Sequence, residues 1–476
     1  MSRLVKNSIL YLTSTIVLKA TSFFLLPLYS TLIPPEAYGK VYLISSYITF
    51  FGLFMSFSMH GAIQRFFFDC KDDDDVKELY STVVIFIFGV ATFLAFCLFA
   101  LNNVIAGWMD LPDNYLFIAT ITVYFSTFYN LIIALLYAKQ QAVIISLTSI
   151  ICGLLTILAQ LTLVLIMKDK AFAMVLSMLI TGVINLLLFL WFSRKYFIIR
   201  FNLKKLKLAI VYGLSQFPSD ISTFVVSLSD RFILNKYKDS RAVGIYGMGN
   251  TLGSIPQIIF ASMNSALAPI VFTDYTNQKE GRVYDISYSC ILIEKIAIML
   301  TALITLLIAF SNNIVALLSD KYQQSELVMF LVLIAVLIDI YRKLFMFPIT
   351  YEIKFVKVKS TIWIFASILS ISLNLMLIPK FSYVGACISL ISTNILTLIV
   401  ILIASHKAMN PVYKVGKLLL IFIVSMSCST TFFLGSSSYM LIAKIIVTCF
   451  YLYIVYRIYP INYWALLTFL NLKKRK

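Results

Sequence analysis

A succession of uninterrupted apolar runs, each as long as a bilayer core is thick, limits what this chain can fold into. The hydrocarbon core is ~30 Å across, and an α-helix rising 1.5 Å per residue needs about 20 residues to cross it. Runs of that kind occupy 9–33, 41–64, 80–101, 115–138, 142–167, 171–193, 209–234, 244–270, 287–311, 324–351, 361–378, 384–403, 418–434 and 440–457. Hydrocarbon offers no partner for a backbone N–H or C=O, so a continuous apolar run spans as a helix. A β-barrel strand would alternate polar with apolar residues instead. The chain is 61% hydrophobic and 13% charged, against ~45–50% and ~25% in soluble domains. The expected class is an all-α polytopic membrane protein with about fourteen transmembrane helices.

The formal net charge of +18 reads as topology rather than nucleic-acid binding. The densest basic groups are Arg194, Lys195, Arg200, Lys204, Lys205 and Lys207, then Lys354, Lys357 and Lys359, then Lys473 to Lys476. All follow even-numbered spans, so the positive-inside rule puts them, with both termini, in the cytoplasm. Arg3 and Lys6 precede the first run, which shows no small-residue cleavage pattern and reads as a retained helix. Tyr459, Tyr463 and Trp464 before the basic tail suggest anchoring at anionic headgroups. The seven cysteines form no CxxC pair, which argues against a zinc site or a disulfide framework. No Walker A pattern, zinc-protease motif or nucleophile elbow occurs, and no connector is long enough to fold as a domain. The chain is therefore expected to be a non-enzyme with no cofactor or metal, and any uphill transport would draw on H+ or Na+.

Charge within the spans points to a site. An ionised residue at the centre of a spanning helix costs ~2.5–3.5 kcal/mol on insertion scales. The spans nevertheless hold Lys19, Asp220, Asp230, Arg231, Glu294, Lys295 and Asp339. Four of these facing lipid would cost on the order of ten kcal/mol, so a wet cavity or mutual pairing is expected. Gln216, Asp220, Thr223, Ser227 and Arg231 recur at helical spacing on one face of the seventh span. Asn250, Gln257 and Asn264 belong to a second polar stripe in the eighth. Asp220, Asp230 and Glu294 are candidate cavity or ion-coupling carboxylates. Bland readings stand beside these: Asp230 and Arg231 as an interfacial ion pair, Arg65 as a topology anchor, and Asp339 with Arg342 as a structural pair.

The chain also matches itself. Pro35-Glu36-Ala37-Tyr38-Gly39 corresponds to Ser240-Arg241-Ala242-Val243-Gly244, and Leu165, Ile166, Lys168, Ser177 and Thr181 to Leu377, Ile378, Lys380, Ser389 and Thr393. Both matches relate spans 1–6 to spans 7–12 as parallel repeats. The expected organisation is a six-helix bundle over 1–200, a second over 201–408, and two additional helices with a basic cytoplasmic tail over 409–476.

Three segments carry a family resemblance: Lys19 to Phe24 with Leu32 to Gly39; Gly61-Ala62-Ile63-Gln64-Arg65-Phe66-Phe67; and Pro218 with Ser229 to Leu234 and Val243 to Tyr246. They resemble polysaccharide (O-antigen) repeat-unit flippases of the Wzx type, within the exporter superfamily that includes multidrug extrusion proteins and lipid II flippases. The resemblance implies two six-helix bundles around a cavity in the cytoplasmic (inner) membrane. It implies alternating-access translocation of an undecaprenyl-pyrophosphate-linked oligosaccharide, a lipopolysaccharide precursor or related glycan, without ATP hydrolysis by the protein itself and beside other glycan-assembly membrane proteins. Lys19, Arg65 and Arg231 are the motif positions it assigns to the headgroup, and Lys295 joins them by its depth in the ninth span. The alternatives are a multidrug or lipid II exporter on the same fold, for which organic cations would favour a carboxylate-dominated cavity, and a membrane glycan polymerase, which would need a large external loop.

Overall fold

The computed structural model describes residues 10, 13–14, 17–18, 20–261, 263–264, 287–346, 349, 356–408, 415–434 and 438–459. Among them the regular structure is helical and contains no strand. By packing, the chain divides into a unit covering residues 9–244 and a unit from Ile245 onward. The first holds α1 (Leu26–Leu32), α2 (Pro35–Ser56), α3 (Met59–Phe66), α4 (Asp73–Ala100), α5 (Asn102–Met109), α6 (Asp113–Ala138), α7 (Ala142–Ile166), α8 (Lys170–Ser193) and α9 (Leu203–Tyr237). The division falls inside α10 (Ser240–Gly253). The second unit holds α11 (Ser287–Ala309), α12 (Ser311–Val315), α13 (Ser325–Phe345), α14 (Val356–Ala408), α15 (Val415–Cys428) and α16 (Ser438–Ile458).

Among the described residues eight helices are long and apolar enough to cross a membrane, or nine if α2 and α3 form one broken span. The stretch α14 is two helices matching the sequence runs 361–378 and 384–403: the chain reverses at the non-helical Ser382 just after Pro379, and Ser389 donates back to the Ser370 carbonyl at 3.4 Å. Polar and charged residues interrupt α9 and α13, and the runs 9–33 and 244–270 lie partly outside the described residues. The polytopic all-α class is borne out.

The outward faces fit a hydrocarbon solvent. On α7, Leu147, Ile151, Leu154, Leu158 and Leu165 are exposed at steps of 4, 3, 4 and 7, while Ile145 and Cys152 on the other side are buried. In water such a stripe would demand a partner, whereas in lipid it is the ordinary surface. Inside the first unit, close packing relies on small residues: Gly182 of α8 lies against Thr122 of α6, and the Thr156 and Thr181 hydroxyls bond at 2.9 Å.

The acidic run Asp72–Asp75 acts as a fastener at the start of α4. Asp72 caps the helix by accepting from the Asp75 backbone N–H at 2.8 Å. Asp73 pairs with Lys139 at 2.8 Å and Asp74 with Lys77 at 2.9 Å, while Asp75 and Glu78 share Lys205. Burial alone would lower the Lys205 ammonium below its ordinary value, but its hydrogen bonds to Asp75 and Glu78 outweigh that and raise it.

The two five-residue segments matched in the sequence meet each other here. A Cβ on Gly39 would fall on the Ser240 carbonyl oxygen and 2.9 Å from the Gly244 nitrogen. A Cβ on Gly244 would fall on the Pro35 carbonyl oxygen and 3.1 Å from the Gly39 nitrogen. Glu36 and Arg241 flank the crossing at 3.8 Å. Only glycine allows backbones this close. Gly39→Ala and Gly244→Ala should each cost about 1–3 kcal/mol through overpacking, read as a lower thermal midpoint of the detergent-solubilised protein. An unchanged midpoint in both variants would remove the crossing from the fold's requirements.

Candidate functional site

The site is built where α9 lies along the broken pair α2 and α3. The break comes from Phe57 and Ser58, whose φ values of 48° and 55° are left-handed, and the two helices bend by 50° there. Neither residue is glycine, so this backbone is strained and held by its surroundings. Gly213 of α9 sits against the Phe57 carbonyl, and Phe217 packs on Phe54 and Phe57 with ring centroids 5.2 and 5.1 Å apart. Further along, Phe224 meets Phe50 at 4.9 Å, and Asn235 donates to the Met109 carbonyl of α5 at 2.7 Å.

Two ionised side chains of α9 enter this seam. Arg231, 9% exposed, donates from Nη1 to Ser46 Oγ at 2.8 Å and from Nη2 to Tyr42 Oη at 2.9 Å. Its guanidinium carbon lies 3.7 Å from the centroid of the Tyr42 ring, a cation–π contact. Nε has no hydrogen-bond partner among the described residues. The guanidinium is thus steadied by neutral groups. Asp230, also buried, accepts from the Arg231 backbone N–H at 2.8 Å. At the break, Ser58 donates to Asp220 at 2.6 Å.

The polar stripe of α9 divides along its length. Asp220 and Arg231 lean to the side that packs on α2 and α3, whereas Gln216, Thr223 and Ser227 are exposed. At 100° per residue those three sit closer to the open edge of the stripe. Arg65 is an exposed residue of α3, paired with Asp69 at 3.2 Å and stacked near Phe66, which fits a surface anchor. Lys19 lies outside the described residues.

The remaining sequence candidates belong to the second unit. Gln257 donates to Asp339 at 3.3 Å, and Asp339 also holds Arg342 and Lys343, the latter at 2.7 Å. Arg342 reaches Thr397 at 3.3 Å and stacks on Trp363 at 4.8 Å. This fully knitted cluster matches the structural-pair reading of Asp339 and Arg342. Glu294, 1% exposed, accepts from Tyr459 Oη at 3.0 Å, and its neighbour Lys295 is half-buried on a different side of α11. Asn250 and Asn264 are half-buried.

Sequence reasoning missed Tyr42, Ser46 and Ser58, the partners that hold the two charges. A signal was present: Ser46, Thr49, Ser56, His60 and Gln64 place polar groups through the second apolar run, mostly at helical spacing. Hydroxyls are so common in membrane helices, where they bond back to the preceding turn, that this pattern is weak alone.

Comparison of folds gives the class. The structure matches the lipid II flippase MurJ in an inward closed conformation with a TM-score of 0.72 at 14% identity, over 95% of this chain and 99% of that one. It matches an inward-facing multidrug resistance MATE family transporter of the MOP superfamily with a TM-score of 0.62 at 13% identity, over 84% and 94%. The chain has this transporter fold. Residues 4–274, more than half of the chain, match the family described as polysaccharide biosynthesis protein, and the chain belongs to that family. An uncharacterized membrane protein of Haemophilus influenzae is 23% identical over 282 residues, covering 56% of this chain and 65%, just under two thirds, of that protein.

The cradle of Arg231 makes a stability prediction. Hydrogen bonds to a charged group contribute ~1.5–3 kcal/mol each. Tyr42→Phe combined with Ser46→Ala should therefore lower unfolding stability by at least about 3 kcal/mol, seen as a marked fall in thermal midpoint. Arg231→Met, which removes the charge as well, should fall less, because no unpaired ion is left behind.

Proposed function

We propose that the protein is a flippase that carries an undecaprenyl-pyrophosphate-linked oligosaccharide, an O-antigen or related repeat unit, across the cytoplasmic membrane by alternating access. Membership of the polysaccharide biosynthesis family and the flippase and transporter folds of the solved neighbours support the class. The observation that carries the substrate is Arg231: a buried guanidinium with neutral partners and an unsatisfied Nε can donate to a phosphate oxygen without first breaking an ion pair. Lys19, Arg65 and Lys295 would add charge along the headgroup's route, and Gln216, Thr223, Ser227, Asn250, Gln257 and Asn264 would serve as polar lining. The twelve repeated helices would form the two rocking bundles, with α15 and α16 as the additional pair.

Asp220 is the coupling carboxylate in this reading, with Asp230 and Glu294 as further cavity carboxylates. It bonds Ser58 at the strained break, so a proton or Na+ arriving at Asp220 competes with the contact that holds the break. A drug exporter for organic cations is less well supported, since the buried cation Arg231 would repel them. The positive-inside bias supports an orientation with the connectors after even-numbered spans in the cytoplasm.

A deletion strain tests the reading. Lipid-linked repeat units should accumulate on the inner leaflet, and Arg231→Met, although folded and present in the membrane, should fail to clear them. Arg231→Lys should restore only part of the flux, because an ammonium lacks the bidentate fork. Unchanged surface glycan after deletion would remove the flippase reading, while full rescue by Arg231→Met would remove Arg231 from the site.

A further inference from the structure

The first unit contains a cleft that the charged seam does not use. It has a volume of about 470 Å³ and lies between α2, α3 and α6. Eight of its fourteen lining residues bear a hydroxyl, amide or imidazole, and none bears a full carboxylate, lysine or arginine charge. Six of the eight polar groups come from two helices, α3 and α6, and Thr49 and Ser56 come from α2. His60 and Gln64 are four apart on α3, and Ser126, Asn130 and Tyr137 are separated by four and seven on α6. The bend at Phe57 and Ser58 sets the direction of α3 and hence of its two contributors. The side chains of His60, Gln64 and Asn130 make no hydrogen bond to another described residue, whereas Ser126 accepts from Asn185 at 3.3 Å. The remaining lining is apolar, with Ile48, Leu53 and Val123 among it.

This chemistry selects among occupants. A phosphate would favour a lysine or arginine beside it, and none lines the cleft. A metal ion would need a cluster of carboxylate, imidazole or thiolate ligands, and none exists among the described residues. A polyprenyl or acyl chain would strand the unbonded amides and imidazole against hydrocarbon, at a cost for each. An uncharged sugar ring matches on both counts, because its hydroxyl rim needs donors and acceptors while its C–H faces pack on aliphatic and aromatic side chains. The volume lies in the range of roughly 300–1,000 Å³ usual for small-molecule sites.

Resting on the flippase reading above, we infer that this cleft is a glycan subsite that binds neutral sugars of the repeat unit, with Gln64 and Asn130 as specificity-determining contacts separate from the Arg231 headgroup site. Both side chains are exposed, so their replacement leaves the packing intact.

The test uses the full chain in lipid nanodiscs. The probe is the free oligosaccharide released by mild acid from the host's own lipid-linked repeat units, with binding followed by saturation-transfer NMR and titration calorimetry. The native protein should bind it, and Gln64→Ala with Asn130→Ala should weaken binding at least about tenfold. Asn130→Trp, which fills the cleft, should abolish binding. Failure of the native protein to bind the free glycan, or equal binding by the cleft variants, would overturn the subsite. Those results leave the deletion-strain outcome untouched, so loss of the cleft and loss of the flippase reading are separable. A protein that binds the glycan but whose deletion leaves surface glycan unchanged would keep the cleft and discard the transport cycle.

Discussion

Hydrocarbon gives a polar group no partner, and this one constraint orders the structure from its surface to its site. It makes every span helical, because only an internal ladder satisfies the backbone. It leaves leucines and isoleucines on the outside of α7, where a soluble protein would hide them. It also requires each buried charge to have named partners. Arg231 has Tyr42 and Ser46, Asp220 has Ser58, and Asp339 has Arg342, Lys343 and Gln257. The same cost is resolved in two ways. In the Asp339 cluster opposite charges meet and are spent on one another. Around Arg231 neutral hydroxyls and a ring share the work, and the positive field is left for something else.

That difference separates structural charge from available charge better than depth does. Asp339 and Arg342 are as buried as Arg231, yet an incoming anion would have to break an ion pair to reach Arg342. Breaking a buried pair costs several kcal/mol, on the order of 3–5 when one partner is removed. Reaching Arg231 requires no such exchange, since Nε is already without a partner among the described residues. Arg65 marks the other extreme, where solvent and Asp69 screen the charge, so that it would contribute less to a headgroup than Arg231.

The fold class was legible in the sequence because it rests on a local property, the length of each apolar run. The element α14 shows how far that signal reaches: its two runs, separated by Pro379 to Tyr383, are two helices folded back on one another, with Ser389 donating to the Ser370 carbonyl at 3.4 Å and Gly385 against Leu377. The charged half of the candidate site is also visible in the sequence, since Asp220 and Arg231 stand out against an apolar background. Their partners were not, because Tyr42, Ser46 and Ser58 become meaningful only when α9 is laid across α2. Helical spacing grouped Gln216, Thr223 and Ser227 with them, and only packing reveals that the stripe straddles the edge of a contact, with part of it buried and part exposed. The Pro35–Gly39 and Ser240–Gly244 match was read as a mark of repetition, and its physical consequence, two backbones crossing at paired glycines, needs tertiary structure to appear.

The broken helix ties these features together. Above the break α2 supplies Tyr42 and Ser46 to Arg231; at the break Ser58 bonds Asp220; below it α3 supplies His60 and Gln64 to the cleft. A strained, non-glycine left-handed pair persists only while its neighbours hold it, so Phe57 and Ser58 are the natural place for two arrangements of the chain to exchange. An anion on Arg231, a proton or cation on Asp220 and a sugar against Gln64 would each act on the same short stretch of backbone. Reciprocity then follows from thermodynamics: if a ligand in the cleft favours one arrangement of the break, that arrangement alters the hold of Asp220 on its ion by the same factor. Coupling of this kind needs no long relay through the protein, because the three contacts are spread over only twenty-three residues, Tyr42 to Gln64, of one bent helix.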